Sequence, residues 1–331
     1  MPETAEKPAM PDTLSVEAYV AEVLATLTPL PAVDTPLFAA HGLVLAQDVT
    51  AALPVPPWTN SAMDGYAVRA RDTESAAPQA PVILPVAGDV PAGTAPAPLV
   101  PGTAQRIMTG AMLPENADAV VKVEDTDQAP GPHPPPAEVG IRVAARPGLN
   151  VRQAGEDVGI GDSVLTAGTL MTATAVASLA SVGLSAVRAF PRPRVAVVST
   201  GAELVEPGQE LPAGAIPDSN SLLLAGLVAE HGARLASVSR SGDTAESLAM
   251  ALIEAARGAD LIVTSGGVSA GAFDPLVMLA EDDEDGENVE NTADGTVRLR
   301  LSKVAMQPGK PQGHGTVRAD DGREVPLIML P

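Results

Sequence analysis

Apolar residues recur at helical spacing near the start of the chain. They are Val16, Val20, Val23, Leu24 and Leu27. Residues three or four positions apart lie on one face of a helix, so this spacing predicts an amphipathic helix over about 15–28. Ser15 stands where an N-cap is expected, and Glu17 would lie beside the positive end of the helix dipole.

Between Leu53 and Val143 the pattern changes to short β-prone runs separated by clusters of proline and glycine. The clearest runs are 82–86, 105–108 and 119–123. Proline fixes φ and removes a backbone donor, so the proline-rich stretch 128–138 is expected to be an exposed loop or linker. This part of the chain is predicted to form a separate, mostly β domain.

Residues 146–190 begin with glycine-punctuated turns and continue into a run of small residues. The run predicts a helix at about 172–181 that Gly183 ends, since glycine readily takes the left-handed conformation that follows a helix. We expect this piece to pack with the N-terminal helix.

From Arg194 onward, apolar strands and amphipathic helices alternate. Strands are predicted at 195–198, 235–238, 261–263 and 325–330, and helices at 221–230 and 245–257. Such alternation predicts a parallel sheet with right-handed crossovers, and ligands of these sheets lie beyond the carboxyl ends of the strands. Those ends are small, polar and glycine-containing: Ser199-Thr200-Gly201, Ser241-Gly242-Asp243 and Ser265-Gly266-Gly267. Three such ends together predict a ligand site.

The predicted fold class is therefore α/β and multidomain, with three parts. Residues 14–50 and 146–190 form a discontinuous, elongated, α-containing domain, 51–145 a mostly β domain, and 191–331 a parallel-sheet α/β domain. A chain of 331 residues is longer than one compact core usually holds. The elongated domain has little core of its own, so we expect it to be buried against a second copy in a two-fold homodimer.

Composition excludes several classes of function. The formal net charge is −21 and aromatic residues make up 2% of the chain, which argues against nucleic acid as a partner. The absence of cysteine excludes disulfides, thiolate catalysis and iron–sulfur clusters. There is no export signal and no long apolar run, so a cytoplasmic protein without membrane contact is expected.

The common catalytic motifs do not explain the function of this chain either. No His-x-x-x-His pair, Walker-type loop, Rossmann glycine fingerprint or nucleophile elbow stands where its mechanism would need it. The four histidines lie far apart in the sequence, so they are not candidates for a metal site or a triad.

Instead, a set of segments stands out, and the clearest is 60–68, which reads NSAMDGYAV. The others are 88–93 (GDVPAG), 106–110 (RIMTG), 114–120 (PENADAV), 152–157 (RQAGED), 199–204 (STGAEL), 265–274 (SGGVSAGAFD) and 308–311 (PGKP). In this order they resemble the molybdopterin molybdenumtransferase family, the group of MoeA and the gephyrin E domain. The resemblance runs from about residue 15 to Pro331.

The resemblance implies an enzyme that inserts molybdate into adenylylated molybdopterin and releases AMP with the help of Mg²⁺. It also implies a homodimer and transient contacts with other enzymes of molybdenum cofactor biosynthesis. The family's C-terminal β domain is expected to be absent from this chain.

The resemblance and the charges of the substrates together assign the site. Molybdate and the pterin phosphates are anions, so cationic side chains and backbone N–H groups are expected to bind them. The predicted substrate-binding residues are Arg152, Thr200, Gly201, Ser265, Gly266, Gly267, Lys303 and Lys310. The predicted catalytic residues are Asp64, Thr109, Glu203, Asp243 and Asp274, of which Asp243 and Asp274 would hold Mg²⁺.

Several of these residues also have ordinary structural interpretations. Asp243 and Asp274 each stand where an N-cap could lie, and Asp64 before Gly65 could form a local Asx-turn. Glu203 could be a solvated turn residue. The chain also departs from the family pattern, with Gln307 where a lysine is common and Pro275 where an aromatic residue is.

Two other functions stay open at this point. One is a scaffold, or a fragment that binds the pterin but lacks the residues needed for turnover. The other is a nucleotide-processing enzyme of the nicotinamide-nucleotide amidase kind, which shares the α/β domain; the segment around Asp64 argues against it.

Overall fold

The computed structural model describes residues 13–267, 290–291 and 296–331. Contacts divide the chain into two compact units. Residues 34–189 form one, here called the β-rich unit, and the residues up to 33 form the other with those from 190 onward, here called the α/β unit. None of the described helices has the length and apolar character required of a membrane span.

The helices are α1 Val16–Thr26, α2 Leu37–Ala40, α3 Ala173–Ser181, α4 Asn220–Glu230 and α5 Ala245–Gly258. The first strands are β1 Val33–Pro36, β2 Val44–Leu45, β3 Val49–Thr50, β4 Asn60–Ser61, β5 Gly65–Val68, β6 Val82–Val90, β7 Ala104–Ile107, β8 Ala119–Lys122, β9 Glu138–Ile141, β10 Val151–Arg152 and β11 Ser163–Leu165. The remaining strands are β12 Ala186–Phe190, β13 Arg194–Thr200, β14 Leu204–Val205, β15 Ile216–Pro217, β16 Arg234–Ser241, β17 Leu261–Ser265, β18 Glu290–Asn291, β19 Val297–Lys303, β20 Pro311–Arg318 and β21 Glu324–Leu330.

A five-stranded sheet of order β8-β5-β7-β6-β9 forms the centre of the β-rich unit. The runs that the sequence predicts at 82–86, 105–108 and 119–123 are confirmed as β6, β7 and β8, each with slightly different ends. Strand β5, which pairs with β8 on one side and β7 on the other, is buried along its whole length, and Tyr66 and Val68 lie in the core. This burial fixes the position of the loop before β5, which includes Asp64.

A second core in the same unit joins two distant parts of the sequence. Leu37 and Leu45 pack there with Met171, Leu179 and Val187. The predicted helix at 172–181 is confirmed as α3, and the side chain of its N-cap, Thr172, accepts a hydrogen bond from the N–H of Ala175 at 3.2 Å. Residues 37–49 and 171–189 therefore fold together, while the proposed domain boundaries stay a prediction.

The α/β unit is built on a seven-stranded sheet of order β16-β13-β17-β21-β20-β19-β18. Strands β16, β13, β17 and β21 are parallel, which confirms the prediction of a parallel-sheet α/β domain. Strands β18 to β20 extend it in antiparallel pairs, which the sequence analysis did not predict. Short connections such as 319–323 allow antiparallel neighbours, whereas parallel ones need a longer crossover.

Helix α5 shows why this unit holds together. Leu248, Leu252, Ala255 and Ala256 repeat at helical spacing and are buried in the core with strands of the sheet. Both leucines are fully buried, and truncating one such residue to alanine costs about 2–5 kcal/mol.

The N-terminal helix is confirmed as α1, and the side chain of its N-cap, Ser15, accepts from the N–H of Ala18 at 3.1 Å. It belongs to the α/β unit, whereas α3 belongs to the β-rich unit. Its Tyr19 donates a hydrogen bond to the carbonyl of Gly313 at 2.9 Å, and the Tyr19 ring meets the ring of His314 edge-on at 5.7 Å. The helix is thus fixed on strand β20.

This contact predicts a pH dependence of stability. Burial and the nearby Arg300 lower the pKa of His314, although Glu22 opposes them. A histidine with a lowered folded-state pKa binds protons more readily when unfolded, so stability is full above about pH 6.5 and falls as the pH drops below it. The other groups that face His314 are Glu22, whose carboxylate lies 3.6 Å from Arg300, and Tyr19, whose pKa burial raises to about 12. We expect the urea concentration at the midpoint of unfolding to decrease when the pH is lowered from 7 to 5.5. In His314→Gln this decrease should be smaller. An equal slope in both proteins would refute the assignment.

Candidate active site

Polar side chains line the carboxyl end of the parallel strands, as the sequence predicts. The sheet register places Thr200 beside Ser241, and Ser199 beside Ser265. Ser265 in turn lies beside Leu330. Thr200, Ser241 and Ser265 are all buried within the row, so the backbone places them firmly.

Gly266 continues this row and must be glycine. Its φ is +84°, and a Cβ here would come within 2.9 Å of both the carbonyl and hydroxyl oxygens of Thr200. Its N–H donates to the carbonyl of Leu330 at 3.1 Å, which argues against the predicted anion contact by this N–H. The anion cradle expected from Gly266 and Gly267 therefore depends on Gly267, whose φ is +83°.

Asp243 links two strand ends. Its Oδ1 accepts a hydrogen bond from the N–H of Ala202 at 2.8 Å, which joins the loop after β16 to the turn after β13. The N-cap of α5 is Thr244, whose hydroxyl accepts from Ser247 at 3.1 Å, so the interpretation of Asp243 as a cap is wrong. Among the described residues, Oδ2 of Asp243 has no hydrogen-bond partner.

Glu203 lies exposed on the turn after β13. Its carboxylate folds over Gly201, where a Cβ would lie 2.5 Å from Oε2 and where φ is +140°. Glycine at this position therefore allows Glu203 to stay beside the strand end.

The two predicted lysines lie at the same end of the sheet. Lys303 ends β19 and pairs with Pro311 at the start of β20. Because β20 runs antiparallel to β21, its first residue lies at the carboxyl end of the parallel strands. Lys310 is exposed and lines a shallow groove of about 350 Å³ with Thr13, Val304, Ala305, Met306 and Gln307.

The sequence analysis missed two residues of this surface, Asp218 and Asn220. Asp218 is 5% exposed, and its carboxylate accepts from the Ser199 hydroxyl at 2.9 Å and from the Ser221 hydroxyl at 2.7 Å. Burial raises the pKa of Asp218, but the hydrogen bonds from Ser221 and Ser199 outweigh it, and the pKa lies below its ordinary value. The side-chain amide of Asn220 donates to the Ser265 hydroxyl at 2.9 Å. The polar Asp-Ser-Asn-Ser run before an apolar helix is the signal that could have indicated them.

In the β-rich unit, Thr109 holds Asp64. Both the N–H and the hydroxyl of Thr109 donate to Oδ1 of Asp64, each at 2.7 Å. These bonds lower the pKa of Asp64, so the carboxylate is ionised at neutral pH. The partner lies 45 residues away, so the interpretation as a local Asx-turn is wrong.

A cleft of about 280 Å³ opens beside this pair. It is lined by Met63, Asp64, Gly65, Tyr66, Arg106, Met108, Thr109, Val123, Glu124, Ala129, Pro130, Gly131 and His133. Arg106 forms a two-pronged ion pair with Asp89, at 2.9 and 2.6 Å, and is held at the cleft wall. The cleft thus combines a fixed cation with the ionised Asp64.

Arg152 lies on the same unit, paired through its backbone with Asn60. The neighbouring residue of β4, Ser61, accepts from the N–H of Gly110 at 2.8 Å on its other side. The short strand β4 therefore stands between Arg152 and the segment that contains Thr109. The Arg152 side chain is exposed.

Asp274 lies outside the described residues, as does most of the acidic run at 281–290. Within the ranges that the structure describes, no three metal-ligating side chains come together.

The fold and these surfaces define a multidomain protein with a candidate ligand site at the strand ends of its α/β unit. Residues 14–183 match the model of the MoeA N-terminal region (domain I and II). Residues 196–331 match that of a probable molybdopterin binding domain. The chain therefore belongs to the MoeA family of molybdopterin molybdenumtransferases, which are enzymes of molybdenum cofactor biosynthesis. The resemblance stated from the sequence is confirmed.

Individual relatives agree with this assignment. Molybdopterin molybdenumtransferase 2 of Mycobacterium tuberculosis is 44% identical over 316 residues, which cover 95% of this chain and 73% of the relative. The Nostoc molybdopterin molybdenumtransferase is 37% identical over 83% of this chain, which matches 59% of the relative. A crystal structure of a molybdopterin biosynthesis MoeA protein from Pyrococcus horikoshii superposes with a TM-score of 0.76 at 33% identity, covering 97% of this chain and 75% of that one.

Proposed function

We propose that this chain transfers molybdate to the dithiolene of adenylylated molybdopterin and releases AMP. The row of polar strand ends that includes Thr200 and Ser265 supports this most strongly, because it lies in the part that matches a molybdopterin binding domain. Ligands of parallel α/β sheets bind at this end.

The cations of the site would hold the anionic parts of the substrates. We assign Lys303 and Lys310 to the phosphate or molybdate oxygens at the strand ends, and Arg152 to the same substrate from the β-rich unit. Charge-assisted hydrogen bonds of this kind are stronger than neutral ones. Thr200, Gly201, Ser265 and Gly267 would complete the contacts through hydroxyl and backbone groups.

The carboxylates would then position a water molecule and the pterin amino groups. Asp64 is suited to this work because Thr109 fixes its orientation and keeps it ionised. Glu203, which lies exposed beside the end of β13, is assigned the same kind of role in the α/β unit.

Magnesium is compatible with the donor set. Mg²⁺ in phosphate chemistry commonly uses one or two carboxylates together with phosphate oxygens and water, so a dense protein cluster is unnecessary. We assign Asp243 and Asp274 to this ion, since Oδ1 of Asp243 is engaged by Ala202 and its second oxygen faces no partner among the described residues. When bound, Mg²⁺ would neutralise charge on the phosphate oxygens.

We further propose that the chain acts as a homodimer in the cytoplasm. Large apolar side chains are exposed on residues expected to form the elongated domain, with Phe38 at 101%, Ile160 at 70% and Leu170 at 55% exposure. Large apolar side chains that are exposed in one copy are candidates for burial at an interface. The Asp64 surface of one copy and the strand-end surface of the other would act on one substrate. Transient contacts with other cofactor-synthesis enzymes would deliver and remove the pterin.

The function is tested by AMP release from adenylylated molybdopterin with molybdate and Mg²⁺, measured for this chain beside its mycobacterial relative, of which the match covers 73%. Release by both would support the proposal. Release by the relative alone would favour a pterin-binding chain that is catalytically incomplete. Absence of pterin binding in both would reopen the nicotinamide-nucleotide amidase alternative.

A further inference from the structure

Two sets of side-chain hydrogen bonds, linked through the backbone at the first turn of helix α4, reach strands β13 and β17. One runs from Ser199 through Asp218 to Ser221, and the other from the adjacent Asn220 to Ser265. The central residue of the first set, Asp218, is a buried carboxylate that accepts three hydrogen bonds in all, the third from the N–H of Ser221 at 3.0 Å. The sequence analysis assigned a role to Ser265 but to none of the others.

Asp218 holds the start of α4 on the sheet. The N-cap residue Ser219 makes no side-chain cap hydrogen bond, so Asp218 satisfies a free N–H of the first turn in its place. The same carboxylate binds Ser199 at the end of β13. An ionised acceptor forms stronger hydrogen bonds than a neutral one, which makes this turn rigid.

Asn220 is the first residue of helix α4, whose start Asp218 holds on the sheet. One amide N–H of its side chain bonds the Ser265 hydroxyl, and the side chain is otherwise exposed at the carboxyl end of the sheet. An amide presents a donor and an acceptor side by side. Beside it, Gly266 and Thr200 lie so close together that a Cβ on Gly266 would not fit.

We propose that Asn220 contacts the substrate through the amide atoms that Ser265 does not engage, and that Asp218 is a positioning residue that fixes Asn220. The inference rests on the proposed function and names a ligand with adjacent donor and acceptor atoms, such as the aminopyrimidinone ring of molybdopterin. Asn220 recognises the ligand, whereas Asp218 acts only through the turn.

The test compares Asp218→Asn, Asn220→Ala and the double variant in binding of molybdopterin. We expect each single change to raise the dissociation constant about three- to tenfold, which is the usual effect of one lost or misplaced hydrogen bond. Because Asp218 acts through Asn220, the double variant should bind no more weakly than Asn220→Ala alone. Fully additive effects would overturn the positioning role, and unchanged binding by Asn220→Ala would overturn the contact.

A matched control lies at the opposite end of the same strands. Asp260 precedes β17, is partly buried, and accepts two hydrogen bonds from the guanidinium of Arg194 at 3.1 and 2.7 Å. Asp260→Asn is expected to lower thermal stability without changing pterin affinity. An equal loss of affinity in Asp260→Asn and Asp218→Asn would show that Asp218 affects binding only through the stability of the fold.

A second readout needs no ligand. With ¹⁵N-asparagine labelling, the Asn220 side-chain signal, assigned by its loss in Asn220→Asp, should move in Asp218→Asn and in Ser265→Ala but not in Asp260→Asn. If Asp218→Asn folds poorly, Ser221→Ala should move the same signal in the same direction. A signal that stays in place in these variants would refute the positioning role. This result stands even if the wild-type chain binds no pterin, an outcome that would count against the proposed function instead.

Discussion

Replacing Asp64 by asparagine is expected to slow AMP release about a hundredfold or more, which is the usual contribution of a positioned acid or base. The amide oxygen can still accept the two hydrogen bonds from Thr109, so the loop keeps its conformation while the negative charge is lost. Because Thr109 lowers the pKa of Asp64, wild-type activity should not show an acid limb from this group above about pH 5. The measurement is the single-turnover rate of AMP release across pH 5 to 8.

Thr109 provides the graded control. Thr109→Val removes the hydroxyl donor but keeps the backbone N–H, so a loss of about three- to tenfold is expected. Thr109→Ser keeps both donors and should retain activity close to wild type. If Asp64→Asn released AMP at the wild-type rate, Asp64 would be a structural residue and the assignment would fail.

Gly65→Ala is expected to destabilise the β-rich unit by about 3 kcal/mol or more. A Cβ at this position would lie 2.0 Å from the carbonyl oxygen of Val121 on the adjacent strand β8, which is far inside van der Waals contact. Strands β5 and β8 would have to separate, and the loop that contains Asp64 would move with them. Urea unfolding followed by circular dichroism measures the loss.

Gly88→Ala in the same sheet is the matched control. A Cβ there would meet only the flexible side chain of Gln105, at 3.4 Å, so a change below about 1 kcal/mol is expected. Similar destabilisation by both substitutions would contradict the close approach of β5 and β8.

Local patterns were sufficient to predict most elements. The helices at 15–28, 172–181 and 245–257 follow from apolar spacing, cap residues and terminal glycines, and the structure has all three with ends that differ by no more than two residues. The buried strands 195–198 and 261–263 were equally clear because parallel strands covered on both faces are continuously apolar.

The antiparallel half of the α/β sheet was missed for a physical reason. Strands β19 and β20 contain Arg298, Arg300 and His314 among their apolar residues. Glycines such as Gly313 and Gly315 further weaken the alternation of apolar and polar residues that predicts a strand. Gly315 is required because a Cβ would lie 2.0 Å from the Arg298 carbonyl on the paired strand. A close approach between strands cannot be deduced from either strand alone.

Part of the candidate site could be predicted from the sequence. The rest depends on contacts between residues that are distant in the sequence. The strand-end glycines and hydroxyls were identified because a parallel sheet brings its carboxyl ends to one edge. The Asp64–Thr109 and Asp243–Ala202 hydrogen bonds join residues 45 and 41 positions apart, so the cap and Asx-turn alternatives could not be excluded earlier. Asp218 was missed because its partner Ser199 lies on strand β13, and the sequence around Asp218 does not show that the two residues meet.

We propose that Asp64 of one copy and Asp243 of another serve one substrate. The most direct test mixes two inactive variants, Asp64→Asn and Asp243→Asn, after mild dissociation and reassociation. Half of the dimers formed at random contain one copy of each variant, and one of the two sites in each such dimer is intact, so AMP release should recover to about a quarter of the wild-type rate. A mixture that stays inactive beside an active wild-type chain would contradict the claim.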